Sequence, residues 1–253
     1  MKILLFVVAC IGLSCAIAAE GRSVSCLGRI EPLDGVYQLA GPAEISVVSD
    51  LRVEEGDEVG VGDVLAILDS HALRDAELKR AEIGLEHAEK VLKRQQGLRQ
   101  TASMASIEDA QRDVQLQEAE VLAARAQRDR ARVHAPVAGQ ILKIHAREGE
   151  RVGLLGILEL GRTNKMFVVA EVYETDIGLV QVGQKATADS PALAEPITGQ
   201  VERIGNVIGK SDTLDLDPVA RIDSRVVEVF ILLDEPSKVA SLTNLQVDVE
   251  IEI

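Results

Sequence analysis

The sequence predicts a mainly β protein interrupted by one long α-helical coiled-coil hairpin. A small Gly-punctuated β motif occurs twice, far apart in the chain. The stretch between the copies has no β character and repeats its apolar residues every three or four positions, and the chain closes on strict alternation. With 253 residues there is chain enough for one large domain or a few small ones, each with a real core. Lys and Arg number 27 against 41 Asp and Glu, a formal charge of −14. With three Phe, two Tyr and no Trp there is no base-stacking platform, and the acidic balance repels phosphate backbones, so nucleic-acid partners are excluded.

Residues 1–19 read as a targeting segment. After Lys2, an apolar run from Ile3 to Ala19 is broken only by Gly12 and Ser14. As a helix it would span about 25 Å against about 30 Å of bilayer hydrocarbon, which leaves two readings open. It is either a signal peptide cut after Ala16-Ile17-Ala18 or a short retained N-terminal anchor. A lipoprotein reading through Cys15 is disfavoured by Gly12, which stands where a lipobox has Leu. Beyond this run Cys26 is the only cysteine, so the exported part can form neither an internal disulfide nor a cysteine zinc site.

The first β copy runs through Leu51-Arg52-Val53-Glu54-Glu55-Gly56-Asp57-Glu58-Val59, then Gly62-Asp63 and the strand Val64–Leu68. The second returns 93 positions on (Gly56 to Gly149), with Glu148-Gly149-Glu150-Arg151-Val152 followed by Gly156-Ile157-Leu158. Ala135-Pro136 likewise echoes Gly41-Pro42. Glycine suits the positive-φ corner of each turn while its acidic neighbours stay solvated. The domain plan that follows puts a split unit at 40–69 and 133–162 around an insertion at 70–132, with an N-terminal strand at 20–39.

The insertion places Leu78, Ala81, Leu85, Ala88 and Leu92 on one helical stripe. A second stripe runs Ile107, Ala110, Val114, Gln117, Val121, Ala124, Arg128 and Ala131. These are the a/d seams of two antiparallel helices about 40–45 Å long, with Leu78, Leu85, Leu92, Ile107, Val114 and Val121 as the coiled-coil core. Asp75/Lys79, Glu86/Lys90 and Glu89/Lys93 would support the outer faces. Gln100–Ser103 forms the turn, Ser106-Ile107-Glu108-Asp109 has capping-box form with Ser106 as N-cap, and Pro136 ends the second helix. An Ala-rich two-helix hairpin buries little area, so it is either a structural or dimerisation arm or a projecting docking arm. Its charge is near neutral, 12 basic against 11 acidic residues, while the rest carries 27 − 12 = 15 against 41 − 11 = 30. A neutral arm can stand beside copies of itself.

Strands follow at Met166–Tyr173, Gly199–Ile204, Ser224–Leu232 and Leu245–Ile253, with a short helical or turn segment at Asp176–Val180. They suggest a small β-barrel at 163–205 and, at 206–253, its completion with a further sheet. No enzyme signature emerges. Gly205–Ser211 has three residues between its glycines where a phosphate loop needs four, and the acidic, Pro-broken stretch after it cannot form the helix such a loop requires. His71, His87, His134 and His145 lack metal-ligand spacing, and no carboxylate pairs with a nucleophile. Catalytic, cofactor and metal sites are all expected to be absent.

The β repeat resembles biotinyl/lipoyl carrier domains, except that 70–132 occupies the turn where their modified lysine sits. Lys165, in Asn164-Lys165-Met166, follows the second half instead, so a carrier role is rejected. A lipoyl-like unit split by a helical hairpin, followed by a small barrel behind an export signal, resembles the periplasmic adaptor (membrane fusion protein, HlyD-like) family. Finer features resemble its DevB-like branch, adaptors of ABC exporters: Gly28-Arg29-Ile30-Glu31-Pro32, Ala135-Pro136-Val137-Ala138-Gly139, Glu174-Thr175-Asp176-Ile177, Asp223-Ser224-Arg225-Val226-Val227-Glu228-Val229 and Leu242-Thr243-Asn244-Leu245-Gln246-Val247.

The resemblance implies a membrane-proximal C-terminal sheet and a homo-oligomeric ring, six copies by family likeness, associated with the inner membrane of a Gram-negative-type envelope. Its partners would be an inner-membrane ABC permease/ATPase and an outer-membrane TolC-type channel. It also implies a channel-docking tip of Arg94, Leu98 and Ser106, with seven residues before the serine where the family pattern has six. Adaptors of proton-driven efflux pumps and a non-transport coiled-coil scaffold are the alternatives.

Overall fold

The computed structural model describes residues 22–41, 46–97, 103–210 and 225–253. It is a mainly β structure with one helical hairpin, in which a split β unit and a closed barrel share two long strands. The first is β1 (Ser23–Leu39). Next come β2 (Val48–Leu51), β3 (Glu58–Val59) and β4 (Val64–Leu68). Helices α1 (His71–Gly97) and α2 (Met104–Arg130) lead to β5 (Arg132–His134) and β6 (Gly139–Ile144), and β7 (Leu158–Tyr173) is the second shared strand.

The two halves of the split unit interlock by a hydrogen-bond exchange that keeps the 93-residue offset of the sequence repeat. Gly56 N–H donates to Ile141 O and Gly149 N–H to Val48 O, both at 2.8 Å. Ile141 N–H donates to Asp57 O and Val48 N–H to Glu150 O, both at 2.9 Å. The turn acids follow suit, Glu55 accepting from Ile144 N–H at 2.9 Å and Glu148 from Leu51 N–H at 3.1 Å. Gly56 and Gly149 both hold positive φ, at 99° and 82°, the conformation that calls for glycine there. Each half therefore supplies the strand that satisfies the other's turn. They bury a common core of Val48, Leu65, Leu68, Ile141, Ile157 and Leu160.

At the far end, β7 and β1 join β8 (Lys185–Asp189), β9 (Ile197–Lys210), β10 (Arg225–Leu233) and β11 (Gln246–Glu252). The pairings run β1–β11–β8–β9–β10–β7 and back to β1, all antiparallel, so the six strands close into a ring. Closure removes the open edges that would invite aggregation. Strand β11 alternates as the sequence predicts, with Val247, Val249 and Ile251 pointing in and Asp248, Glu250 and Glu252 out. A six-stranded ring is narrow, and its lining includes small residues for that reason. A Cβ on Gly28 would lie 2.8 Å from Val168 Cγ1.

Within 206–253 the described strands β10 and β11 are both members of this ring, and β1 supplies the strand between β11 and β7. The ribbon β1–β7 joins the units. Its register shifts between Pro32 and Val36, where Asp34 and Gly35 take positive φ, and beyond that shift β1 belongs to the split unit, with Leu39 opposite Leu158. Asn164 and Lys165 are exposed residues within β7, and Gly205–Lys210 is strand rather than loop.

Candidate docking hairpin

The hairpin grows from the turn that would otherwise connect β4 to β5. These strands pair antiparallel, Ile67 opposite Arg132, so the chain leaves and re-enters at one point. Leu68 N–H donates to Ala131 O at 2.9 Å, and Arg132 Nε donates to His71 Nε2 at 2.9 Å. Asp69 Oδ1 accepts from the N–H groups of Val47 at 3.2 Å and Ser70 at 3.0 Å, tying the first helical turn to the unit beneath. Arg74 bridges to Glu77 at 3.0 Å and reaches across to Gln127 Oε1 at 2.9 Å. Each helix has 27 residues, about 40 Å of rise. They pack along each other, and only the base of α2 makes substantial contact with the β body, at β5.

Along the seam Leu78, Ala81, Ala88, Ala110 and Val121 are buried, and Leu85, Leu92, Ile107 and Val114 are half-buried. Polar Gln117 also lies in the seam, opposite Gly84, where an added Cβ would come within 2.5 Å of its Oε1. Glu86 and Lys90 close an ion pair at 2.6 Å, and this hydrogen bond holds the Glu86 carboxyl below its ordinary pKa.

Of the expected tip residues, Arg94 is exposed in the last turn of α1, where a cation favours the helix dipole. Leu98, and residues 100–102 of the expected turn, lie outside the described residues. Ser106 as N-cap is corrected. The N-cap is Ser103, extended at φ −73° and ψ 151°, whose side chain accepts from Ser106 N–H at 3.1 Å. Ser106 sits inside the first turn and donates its hydroxyl to Ser103 O at 2.7 Å. Met104, which sequence reasoning passed over, stands exposed at the tip.

A second cluster, also missed, lies on the outer face of the barrel. Arg29 on β1 joins Glu31, Glu171 on β7 at 3.3 Å and Glu228 on β10 at 3.2 Å. It thereby unites two of the short motifs read from the sequence, 28–32 and 223–229. Burial works against the Arg29 charge, but hydrogen bonds and attraction from Glu31 and Glu228 outweigh it and hold the pKa above its ordinary value. Nearby Cys26 is pushed up to about 12, by burial first and by the Glu171 charge second. A groove of about 620 Å³ adjoins the cluster, floored by Phe167 and Phe230, with the Arg203 guanidinium 3.5 Å from the Phe230 ring centre. Among the described residues no three His, Cys, Asp or Glu side chains gather where they could hold a metal ion.

No family model matches the chain. The pyoverdine export membrane fusion protein PvdR of Pseudomonas aeruginosa is 30% identical over 197 residues, 65% of this chain and 50% of PvdR. The multidrug resistance protein MdtA of Salmonella typhimurium is 28% identical over 154 residues, 54% of this chain and 37% of MdtA. A crystallised MacA–MexA chimera carrying the Pseudomonas aeruginosa MexA α-hairpin superposes with a TM-score of 0.74 at 20% identity, covering 92% of this chain and 81% of the chimera. The chain is thus similar in sequence to curated membrane fusion proteins and shares the fold of solved periplasmic adaptors. The chain spans 50% of the length of PvdR and 37% of that of MdtA. The likeness to the chimera concerns the fold, a split β unit with hairpin and barrel.

Proposed function

We propose that this adaptor is the periplasmic subunit of a tripartite ABC-type exporter, linking an inner-membrane permease/ATPase to a TolC-type outer-membrane channel. The observation that supports this most is the hairpin of about 40 Å rise, fixed at its base and otherwise clear of the body. An arm of that length suits reach across a compartment better than core building. The ABC assignment rests on the DevB-like motifs, and the transporter, not this chain, would supply the energy. Copies would close a ring around the exit path, six by family likeness, with near-neutral hairpins side by side.

Mild cross-linking followed by purification of the chain tests the reading. Recovery of a membrane ATPase supports it, and recovery of a proton-driven pump moves the chain to the other adaptor class. A stable dimer with no transporter would favour a scaffold. At the tip, Arg94→Glu should preserve the circular dichroism spectrum and lower cross-linking to the channel and export at least about tenfold, the scale of losing a charged anchor at an interface. Unchanged export removes Arg94 from the docking tip.

A further inference from the structure

Both phenylalanines among the described residues, Phe167 on β7 and Phe230 on β10, stand in the groove of about 620 Å³ on the outer face of the barrel. The strand registers bring them together. Met166, Val168 and Ala170 belong to the barrel core, so Phe167 and Val169 point outward. Phe230 is paired with Val169, which makes the two aromatic residues diagonal neighbours, their backbones about 7–8 Å apart. The floor of the groove is therefore aromatic although it faces away from the core.

The walls are two irregularities of the sheet. On β9, Arg203 pairs with Phe230 and Val201 with Ile231, so Glu202 is an extra residue in that strand. Consecutive strand residues ordinarily point to opposite faces, yet Glu202 and Arg203 both line the groove, because the bulge re-aims one of them. On β1 the register shift between Pro32 and Val36 likewise turns both Leu33 and Asp34 into the opposite wall. An apolar floor between polar walls is the form of a small-molecule site, and the volume lies within the roughly 300–1,000 Å³ of such sites.

The charges select the ligand. Three carboxylates, Glu31, Asp34 and Glu202, line the groove against one guanidinium, that of Arg203, an excess of two negative charges. Glu31 is held by Arg29, and Asp34 by Arg162 at 2.8 Å. Among the described residues Glu202 has no ion pair. Exposed Arg203 lies instead on the Phe230 ring, 3.5 Å from its centre. The ring face is thus a cation site that the chain fills with its own side chain, beside a carboxylate that lacks a cation.

We propose that this groove binds a lipophilic organic cation, its apolar body on Phe167, Phe230 and Leu33 and its charge between the Phe230 face and Glu202. Arg203 is the internal competitor. Ligand entry moves its guanidinium off the ring, and a single stacking contact at an exposed site resists this only weakly. The inference goes beyond the exporter reading, and its test contains no transporter, so either can fail without the other.

The test titrates tetraphenylphosphonium into the full chain in dodecyl maltoside by isothermal calorimetry, with the micelle blank subtracted. Tetraphenylborate, of the same shape and opposite charge, is the control. Saturable phosphonium binding at one site per chain is expected, with the borate about tenfold weaker or more. Glu202→Gln and Phe230→Leu should each weaken the phosphonium about threefold, and Arg203→Gln should tighten it about threefold by removing the competing cation. Glu202 and Arg203 are both exposed, so their opposite shifts can be read without disturbing the fold. Phosphonium heat no greater than the blank, borate binding as tight as phosphonium binding, or weaker binding in Arg203→Gln overturns the proposal. So does unchanged affinity in both Glu202→Gln and Phe230→Leu, since the cation would then lie elsewhere.

Discussion

Gly56 and Gly149 are equivalent positions of the two half-motifs, and a core shared by the two halves requires that they behave as one pair. Both hold positive φ, and apart from the adjoining residues no atom lies within 4 Å of where a Cβ would sit on either. Alanine at each site therefore meets no clash and pays only for the left-handed backbone, about 1–2 kcal/mol. The hydrogen bonds of the two glycines go to different partners, Ile141 and Val48, so the double variant should lose about 2–4 kcal/mol by simple addition. Gly156→Ala is the contrast, because its Cβ would fall 2.6 Å from Leu39 O and force the backbone to move, about 3 kcal/mol. Urea unfolding followed by tyrosine fluorescence reads these costs. The chain has two tyrosines and no tryptophan, and Tyr37 packs on the split-unit core, so Tyr173→Phe leaves a reporter for that unit alone. Equal shifts of one Tyr37 transition by Gly56→Ala and Gly149→Ala are expected. If one variant moves the transition and the other leaves it in place, the halves do not share a core and the reasoning fails.

Three further outcomes follow from the site. Ser103→Ala should cost the hairpin about 1 kcal/mol in thermal melts read at 222 nm, and Ser106→Ala clearly less, because Ser103 holds the cap; the reverse order would restore Ser106 as N-cap. Arg29→Met removes the guanidinium that Glu171, 4% exposed at its side chain, shares with Glu31 and Glu228; allowing for the partial exposure of the cluster, about 2 kcal/mol of barrel stability should be lost in urea, and an unchanged midpoint would show the cluster to be ornamental. Cys26, with its pKa raised in the fold, favours the folded state below the ordinary thiol pKa and loses that contribution as pH climbs toward about 12. Stability should accordingly fall by about 1 kcal/mol between pH 9 and 10, a fall that Cys26→Ala abolishes, and native Cys26 should react slowly with maleimide at pH 8.

Much of this architecture is written in local patterns. The paired turns at Gly56 and Gly149 are legible because positive φ restricts the residue type, and the seams at Leu78–Leu92 and Ile107–Val121 because a helix repeats its buried face every three to four residues. The final strand shows its inside and outside by alternation. The capping-box pattern puts the start of α2 three residues late, since Ser103 and Ser106 both have capping chemistry and only backbone geometry selects between them. The Arg29 cluster is invisible in sequence because its members stand up to 199 positions apart and meet only through strand register. Gly205–Lys210 resembles a loop in composition yet pairs as strand, because its partner β10 lies beyond a 14-residue stretch that breaks every local pattern (211–224).

The most direct test is a spin-label distance between Val61 and Gln96 in the full chain. Val61 is exposed on the turn before β4, at the end of that strand away from the hairpin, and Gln96 is exposed near the end of α1. With the hairpin standing off the closed split unit, the separation should centre beyond about 40 Å, from the helical rise plus the strand beneath it. A distribution centred below about 30 Å would mean that the arm lies along the body, and the proposed docking reading would lose its arm.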